Sequence, residues 1–185
     1  GQLGDGSTTD RAKAVRVDGI ANVIAAAASE RASIALKADG TVWGWGDLVG
    51  DSSGARLVPA QVVGLSGMSA VAAGQFHALG LKSDGTVWAW GRNSSGQLGD
   101  NSVTNRALPV QVSGLSNVVA VAAGESSSYA LLANGTVWGW GYNGYGQLGN
   151  GITASQQLTP VQVKDMAGTG VLSGITSIAA GKYFG

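Results

Sequence analysis

The chain has 185 residues, 44% of them hydrophobic, enough to bury a core in one or two domains. Eleven basic residues balance eleven acidic ones, so no global field draws it towards nucleic acid or an anionic membrane, and partners must be selected locally. The absence of cysteine excludes a disulfide framework, a thiolate nucleophile and Cys-ligated zinc but leaves the compartment open, a secreted or cell-surface setting included, and no apolar run approaches the ~20 residues that span a bilayer.

The 31 glycines against three prolines, with Ala, Ser, Thr and Val abundant, predict many short strands joined by tight turns. The chain opens on Gly1-Gln-Leu-Gly4 and a loop of clustered oxygens, Asp5-Gly-Ser-Thr-Thr-Asp10. Arg11, Lys13 and Arg16 follow as an interrupted basic run, which reads as a solvated edge and not as a nucleic-acid patch. A small-residue strand at 26–29 then leads into Lys37-Ala-Asp-Gly-Thr-Val-Trp-Gly-Trp-Gly46. In the next stretch strands are expected near 60–63, 69–73, 78–82 and 86–90. Asp84-Gly85 supplies the positive φ of a two-residue type I′ hairpin turn between the last two. The small-residue strand returns at 71–74, 121–124 and 178–181, and the tryptophan segment returns at 82–91 and 132–141, where Asn134-Gly135 makes the turn.

All six tryptophans, Trp43, Trp45, Trp88, Trp90, Trp138 and Trp140, fall in these three copies, and the step from Trp43 to Trp88 to Trp138 is 45 and then 50 residues. That period belongs to propeller blades. The tryptophan strands are apolar on both faces, as expected where each sheet is sandwiched between two others. The fold class is therefore all-β: a β-propeller of four-stranded antiparallel blades, with units at 1–46, 47–91, 92–141 and an incomplete 142–185, about three and a half blades. The same tryptophan placement in every unit marks the indoles as packing anchors, not as an aromatic cage for a ligand.

Gly96-Gln-Leu-Gly99, Leu108-Pro-Val-Gln-Val112, Val121-Ala-Ala-Gly124 and Asp84-Gly-Thr-Val-Trp-Ala-Trp-Gly91, recurring in one order over essentially the whole chain, resemble the regulator of chromosome condensation repeat, in its bacterial form. The resemblance implies a seven-bladed propeller. It also implies a family whose members include an exchange factor for a small nuclear GTPase, a secreted β-lactamase inhibitor and many interaction modules; fold does not choose among them. Three full units plus the first two strands of a fourth point to a portion of a longer polypeptide, with neighbouring blades supplied by the rest of that chain. His77, the only histidine, sits where other units carry Ala32, Ser127 and Phe184, and resembles the family's structural histidine, bonded to neighbouring backbone. The first unit departs from the pattern: Ser29 replaces a glycine, Ala14 stands in place of Pro109 and Pro160, and the loop after Gly46 is about four residues shorter than its counterparts. The fourth unit carries an insertion of about six residues within 164–174.

No catalytic constellation can be assembled, since a lone histidine serves a triad only in a geometry that sequence does not supply. Gly144-Tyr-Gly146-Gln-Leu-Gly149 matches a dinucleotide fingerprint in letters, but a poor helix former follows it, so its glycines read as turn formers. The Asp5–Asp10 and Asp100–Asn105 loops lack the spacing of an EF-hand. Asn93-Ser-Ser95 and Asn134-Gly-Thr136 are formal glycosylation sequons. The expectation is a non-catalytic scaffold with no cofactor and no metal, binding a protein partner, and neither nucleic acid nor the membrane interior, through variable loops at one rim. The candidate contacts are Asp47, Leu48, Arg92, Asn93, Tyr142, Asn143, Tyr145, Lys164 and Asp165. The alternatives are guanine-nucleotide exchange on a small GTPase and a secreted enzyme-inhibitor module.

Overall fold

In a computed structural model, residues 1–47, 55–152 and 154–182 are described. Twelve strands follow in order: β1 (Val23–Ala28), β2 (Ala32–Lys37), β3 (Val42–Gly46), β4 (Arg56–Gln61), β5 (Met68–Ala73), β6 (His77–Lys82), β7 (Val87–Gly91), β8 (Arg106–Gln111), β9 (Val118–Ala123), β10 (Ser127–Leu132), β11 (Val137–Tyr142) and β12 (Gln156–Gln162). They form three antiparallel meanders, β1 to β4, β5 to β8 and β9 to β12. These are blades of a β-propeller, and no helix occurs among the described residues.

The small-residue strands β1, β5 and β9 pack against one another from sheet to sheet, so they are the innermost strands, where the wedge between blades is narrowest. Alanine and glycine permit that approach. A Cβ added at Gly74 would lie 2.5 Å from the Gly124 carbonyl oxygen, and one at Gly124 would lie 2.6 Å from that of Gly181. The Trp-x-Trp strands are third in each sheet and share one register: Gly46 faces Ala32, Gly91 faces His77 and Gly141 faces Ser127.

The outermost strands carry Pro59, Pro109 and Pro160. Proline donates no ladder hydrogen bond and belongs on an edge. Here the expected strand positions need correction. The strand opening each sequence unit lies at Arg56–Gln61, not at 60–63, and it closes the preceding sheet by pairing with β3. A sheet therefore takes three strands from one repeat and its edge from the next. In the last unit, 178–181 forms no strand, but Ile178 and Ala180 pack on Ala122, Tyr129 and Leu148.

Two clusters fill the spaces between sheets. Ile34, Leu36, Val42, Val62, Leu65, Met68 and Trp90 lie between the first and second, and Leu79, Leu81, Val87, Leu98, Val118 and Trp140 between the second and third. The two tryptophans of a pair are not equivalent. Trp45, Trp90 and Trp140 are buried, whereas Trp43, Trp88 and Trp138 are partly exposed, with the Lys37 and Lys82 ammonium groups 5.4 and 5.7 Å from the Trp43 and Trp88 rings. Burying ~200 Å² of indole at about 25 cal/mol per Å² contributes roughly 5 kcal/mol before entropy is counted, so the second tryptophan is the stronger anchor.

Candidate interaction face

Antiparallel meanders put two sets of connections at one end of every sheet: the turn from first to second strand and the loop leaving the third. The amides of Asp47, Arg92 and Tyr142 donate to the carbonyls of Arg31, Phe76 and Ser126, each at 2.8 Å, which locks the sets together. Glycine makes the junction possible. Gly141 has φ +94°, and a Cβ there would stand 2.5 Å from the Ser126 carbonyl oxygen.

Around the inner edge of this end, the residue after each small-residue segment is polar: Glu30, Gln75, Glu125 and Lys182. Gln75 Nε2 donates to Glu30 Oε2, and Lys182 Nζ stands 3.8 Å from Glu125 Oε2. Together they border an opening of 330 Å³ floored by Ala28, Gly74 and Gly124. Further out, the Arg92 guanidinium lies 5.7 Å from the Phe76 ring centre while its Nε donates to Ser94 Oγ at 2.9 Å. Tyr142 and Tyr145 meet edge to face, 5.8 Å between centroids at 75°. Tyr145 is 71% exposed. A second pocket of 250 Å³ joins these tyrosines to Glu125, Gln147 and Lys182.

Of the residues proposed from sequence, Arg92, Tyr142 and Tyr145 come together on this end, and Asp47 belongs to it through its bond to Arg31. Leu48 lies outside the described residues. Asn93 and Asn143 are a correction: both are buried. Asn93 Oδ1 accepts from the Leu98 amide at 2.9 Å, and its Nδ2 donates to Asp100 Oδ1 at 2.9 Å and the Ser102 carbonyl at 3.0 Å. Asn143 does the same with the Leu148 amide, Asn150 Oδ1 and the Ile152 carbonyl. These side chains build their own loops and offer no atom to a partner. Lys164 and Asp165 are a second correction, because they follow β12 at the opposite end, beside the Asn134-Gly135 hairpin, where the Ile175 amide donates to the Gly135 carbonyl. Asp165 Oδ1 accepts from the Thr169 and Gly170 amides and shapes that insertion.

His77 is buried, and burial pushes its imidazole down to about 4. Its bond runs to a side chain of the next sheet, Ser128 Oγ at 2.8 Å, and not to neighbouring backbone. In the oxygen-rich loops, Asp5 and Asp100 pair with Arg11 and Arg106 at 2.8 and 2.7 Å. Burial works to raise the Asp100 carboxyl, but hydrogen bonds from Ser102, Arg106 and Asn93 outweigh it and hold it below its ordinary value. Among the described residues no three His, Cys, Asp or Glu side chains converge as metal ligands. Gly144, Gly146 and Gly149 lie in turns after β11, as their reading as turn formers requires.

Sequence reasoning passed over Glu30, Gln75, Phe76, Glu125 and Lys182. The signal was present: polar residues of changing charge at one position of an otherwise constant repeat.

A family model described as the Regulator of chromosome condensation (RCC1) repeat matches residues 84–131 and 134–185, and a second of the same description matches 68–97 and 118–147. The chain belongs to the RCC1 repeat family. Among solved structures it is similar to human WBSCR16, with TM-score 0.73 and 27% identity over 87% of this chain and 43% of that one. It is similar to Prp20p from Saccharomyces cerevisiae, with TM-score 0.78 and 22% identity over 98% and 48%. It is similar also to yeast RCC1 (Prp20) in its complex with Kap60, with TM-score 0.72 and 28% identity over 86% and 38%. The chain thus spans less than half the length of each of these structures. No curated protein gives a significant match.

Proposed function

We propose that this RCC1-repeat chain is a non-catalytic protein-interaction scaffold whose contact surface is the end of the sheets bearing Arg92, Tyr142 and Tyr145. The observation that carries the reading is the convergence there of the Arg92 and Phe76 pair, the two tyrosines and the inner polar positions. Arginine and aromatic side chains above a polar inner rim match the composition of protein interfaces. Support also comes from a relative, since yeast RCC1 (Prp20) was solved bound to the protein Kap60. Three-strand repeats that share their edge strands give a rigid platform, and rigidity lowers the entropic cost of presenting loops.

The test is photo-crosslinking in extract of the source cells, with a crosslinking residue placed at Tyr145 and, as control, at Met166 on the opposite end. A discrete adduct from position 145 and none from 166 is expected; equal labelling would refute the assignment of the face. Nucleotide release from a panel of small GTPases, run alongside, separates a scaffold from an exchange factor. Acceleration lost on changing Arg92 and Tyr145 would replace the scaffold reading with exchange.

A further inference from the structure

We propose that the 250 Å³ pocket beneath Tyr145 receives a single basic side chain of the partner, an arginine for preference, with Glu125 as its acceptor. The proposal rests on the interaction-face reading above and names what that face recognises. The pocket lies below the ~300–1,000 Å³ typical of small-molecule sites, and is sized for one side chain.

The Glu125 carboxylate drives the argument. Its Oε2 is fully enclosed and accepts no hydrogen bond. A buried carboxylate oxygen without a donor is costly, and such groups are ordinarily satisfied. Lys182 approaches it only to 3.8 Å, beyond the 2.7–2.9 Å of a charge-assisted bond, and the lysine side chain is itself 58% exposed. An ion pair of this length with an exposed partner contributes little and gives that oxygen no hydrogen bond. An incoming guanidinium offers what Lys182 does not: a planar fork able to give two parallel hydrogen bonds to one carboxylate while its face lies on an aromatic ring.

The rings are in place. Tyr145 and Tyr142 stand edge to face over the same pocket, and the Gln147 side-chain oxygen accepts from the Tyr145 amide at 3.0 Å, fixing the loop that carries the outer ring. A cation between a carboxylate and a tyrosine face gains from both. The same protein already makes the simpler half of this contact, placing the Arg92 guanidinium 5.7 Å from the Phe76 ring centre on the same end.

The experiment uses the whole chain and two probes, N-acetyl-arginine methylamide and its uncharged isostere, N-acetyl-citrulline methylamide, titrated by NMR. The arginine probe should bind saturably in the millimolar range, at least tenfold more tightly than the citrulline probe. Glu125→Gln should weaken it tenfold or more, Tyr145→Ala severalfold, and Lys182→Ala should tighten it by removing the resident ammonium. Amide spectra of each variant establish that it is folded. Equal binding of the two probes, no saturable shift, or indifference to Glu125→Gln in a folded variant would overturn the proposal. Its failure is separable from that of the broader reading. If arginine does not bind while position 145 still crosslinks one protein, the face stands without this pocket; if arginine binds and 145 captures nothing, the pocket stands without the scaffold.

Discussion

Acid should loosen the contact between the second and third sheets through one residue. Ser128 Oγ donates to the Gln97 carbonyl at 2.8 Å, so its proton is spent and it must accept from His77. His77 is therefore neutral with its proton on Nε2, and Nδ1 is left buried without a partner, facing Gly74, where a Cβ would stand 2.4 Å away. Protonating Nδ1 would place a charge and an orphan donor in the interior, which is why burial takes the imidazole from 6.5 to about 4. The folded pKa lies below the unfolded one, so the unfolded chain binds the proton first. Stability is level above the unfolded value and falls as pH drops from about 6.5 to about 4. At about 1.4 kcal/mol per unit the whole window is worth about 3 kcal/mol. Urea unfolding of the wild type and His77→Ala at about pH 7 and about pH 4.5 isolates this share, with an expected excess loss of about 2.5 kcal/mol in the wild type. The carboxylates are common to both proteins and cancel in the difference, and Asp39, lowered to about 2 by hydrogen bonds from the Thr41 side chain and amide and from Lys37, titrates below that window. If wild type and variant lose stability in parallel, the buried neutral histidine is wrong.

Two further outcomes follow from hydrogen-bond and backbone geometry. Trp140 Nε1 donates to the Gln97 carbonyl at 2.9 Å, whereas Trp90 Nε1 is buried without a partner. Phenylalanine at either site loses the same ring volume, so Trp140→Phe should cost about 2 kcal/mol more than Trp90→Phe in denaturant melts; equal costs would refute the assignment. Gly141→Ala should destabilise by at least about 2 kcal/mol, because an L-residue at positive φ is strained and its methyl meets the Ser126 carbonyl oxygen. Gly146→Ala, at φ +74° with open space around it, should cost only the backbone share, about 1 kcal/mol, and the melting temperatures of the two variants decide the point.

The blades were legible because their signals are local. Asp84-Gly85 and Asn134-Gly135 set the hairpins, and alternation along 86–91 set which residues face which side. Membership of the edge strand was not legible, since a repeat unit in sequence need not be a sheet in space. Only Pro59, Pro109 and Pro160 hinted at an edge, and an edge of which sheet is a question of pairing that periodicity does not answer. The candidate site was half legible for a related reason. Asparagine in a glycine-rich loop satisfies a turn as readily as it meets a partner, and Asn93 and Asn143 prove to be turn builders. Tyr142 likewise packs over Gly144 of its own loop, and only Tyr145 stands well exposed, while Lys164 was misplaced because loop variability carries no information about which end of the sheet a loop occupies.

The shortened loop after Gly46 shows why departures in such a repeat must be read across sheets. The Gly-Gln-Leu-Gly loops at 1–4 and 96–99 serve the sheet that follows them: the Gln2 carbonyl accepts from Trp45 Nε1 and Ser33 Oγ, and the Gln97 carbonyl accepts from Trp140 Nε1 and Ser128 Oγ. The same loops donate to the edge strand, Gly6 to the Leu57 carbonyl and Asn101 to the Leu158 carbonyl, while Gly1 and Gly96 press on the Leu57 and Leu158 side chains. In the second sheet the partner positions differ in sequence. Ala78 stands where Ser33 and Ser128 stand, Ala107 where Leu57 and Leu158 stand, and the Trp90 indole has no acceptor among the described residues. Among the described residues, the outer part of the seam between the first and second sheets is held by the cluster of Trp90 with Ile34, Val42 and Leu65, whereas the third sheet is held to the second also by the two donors to the Gln97 carbonyl.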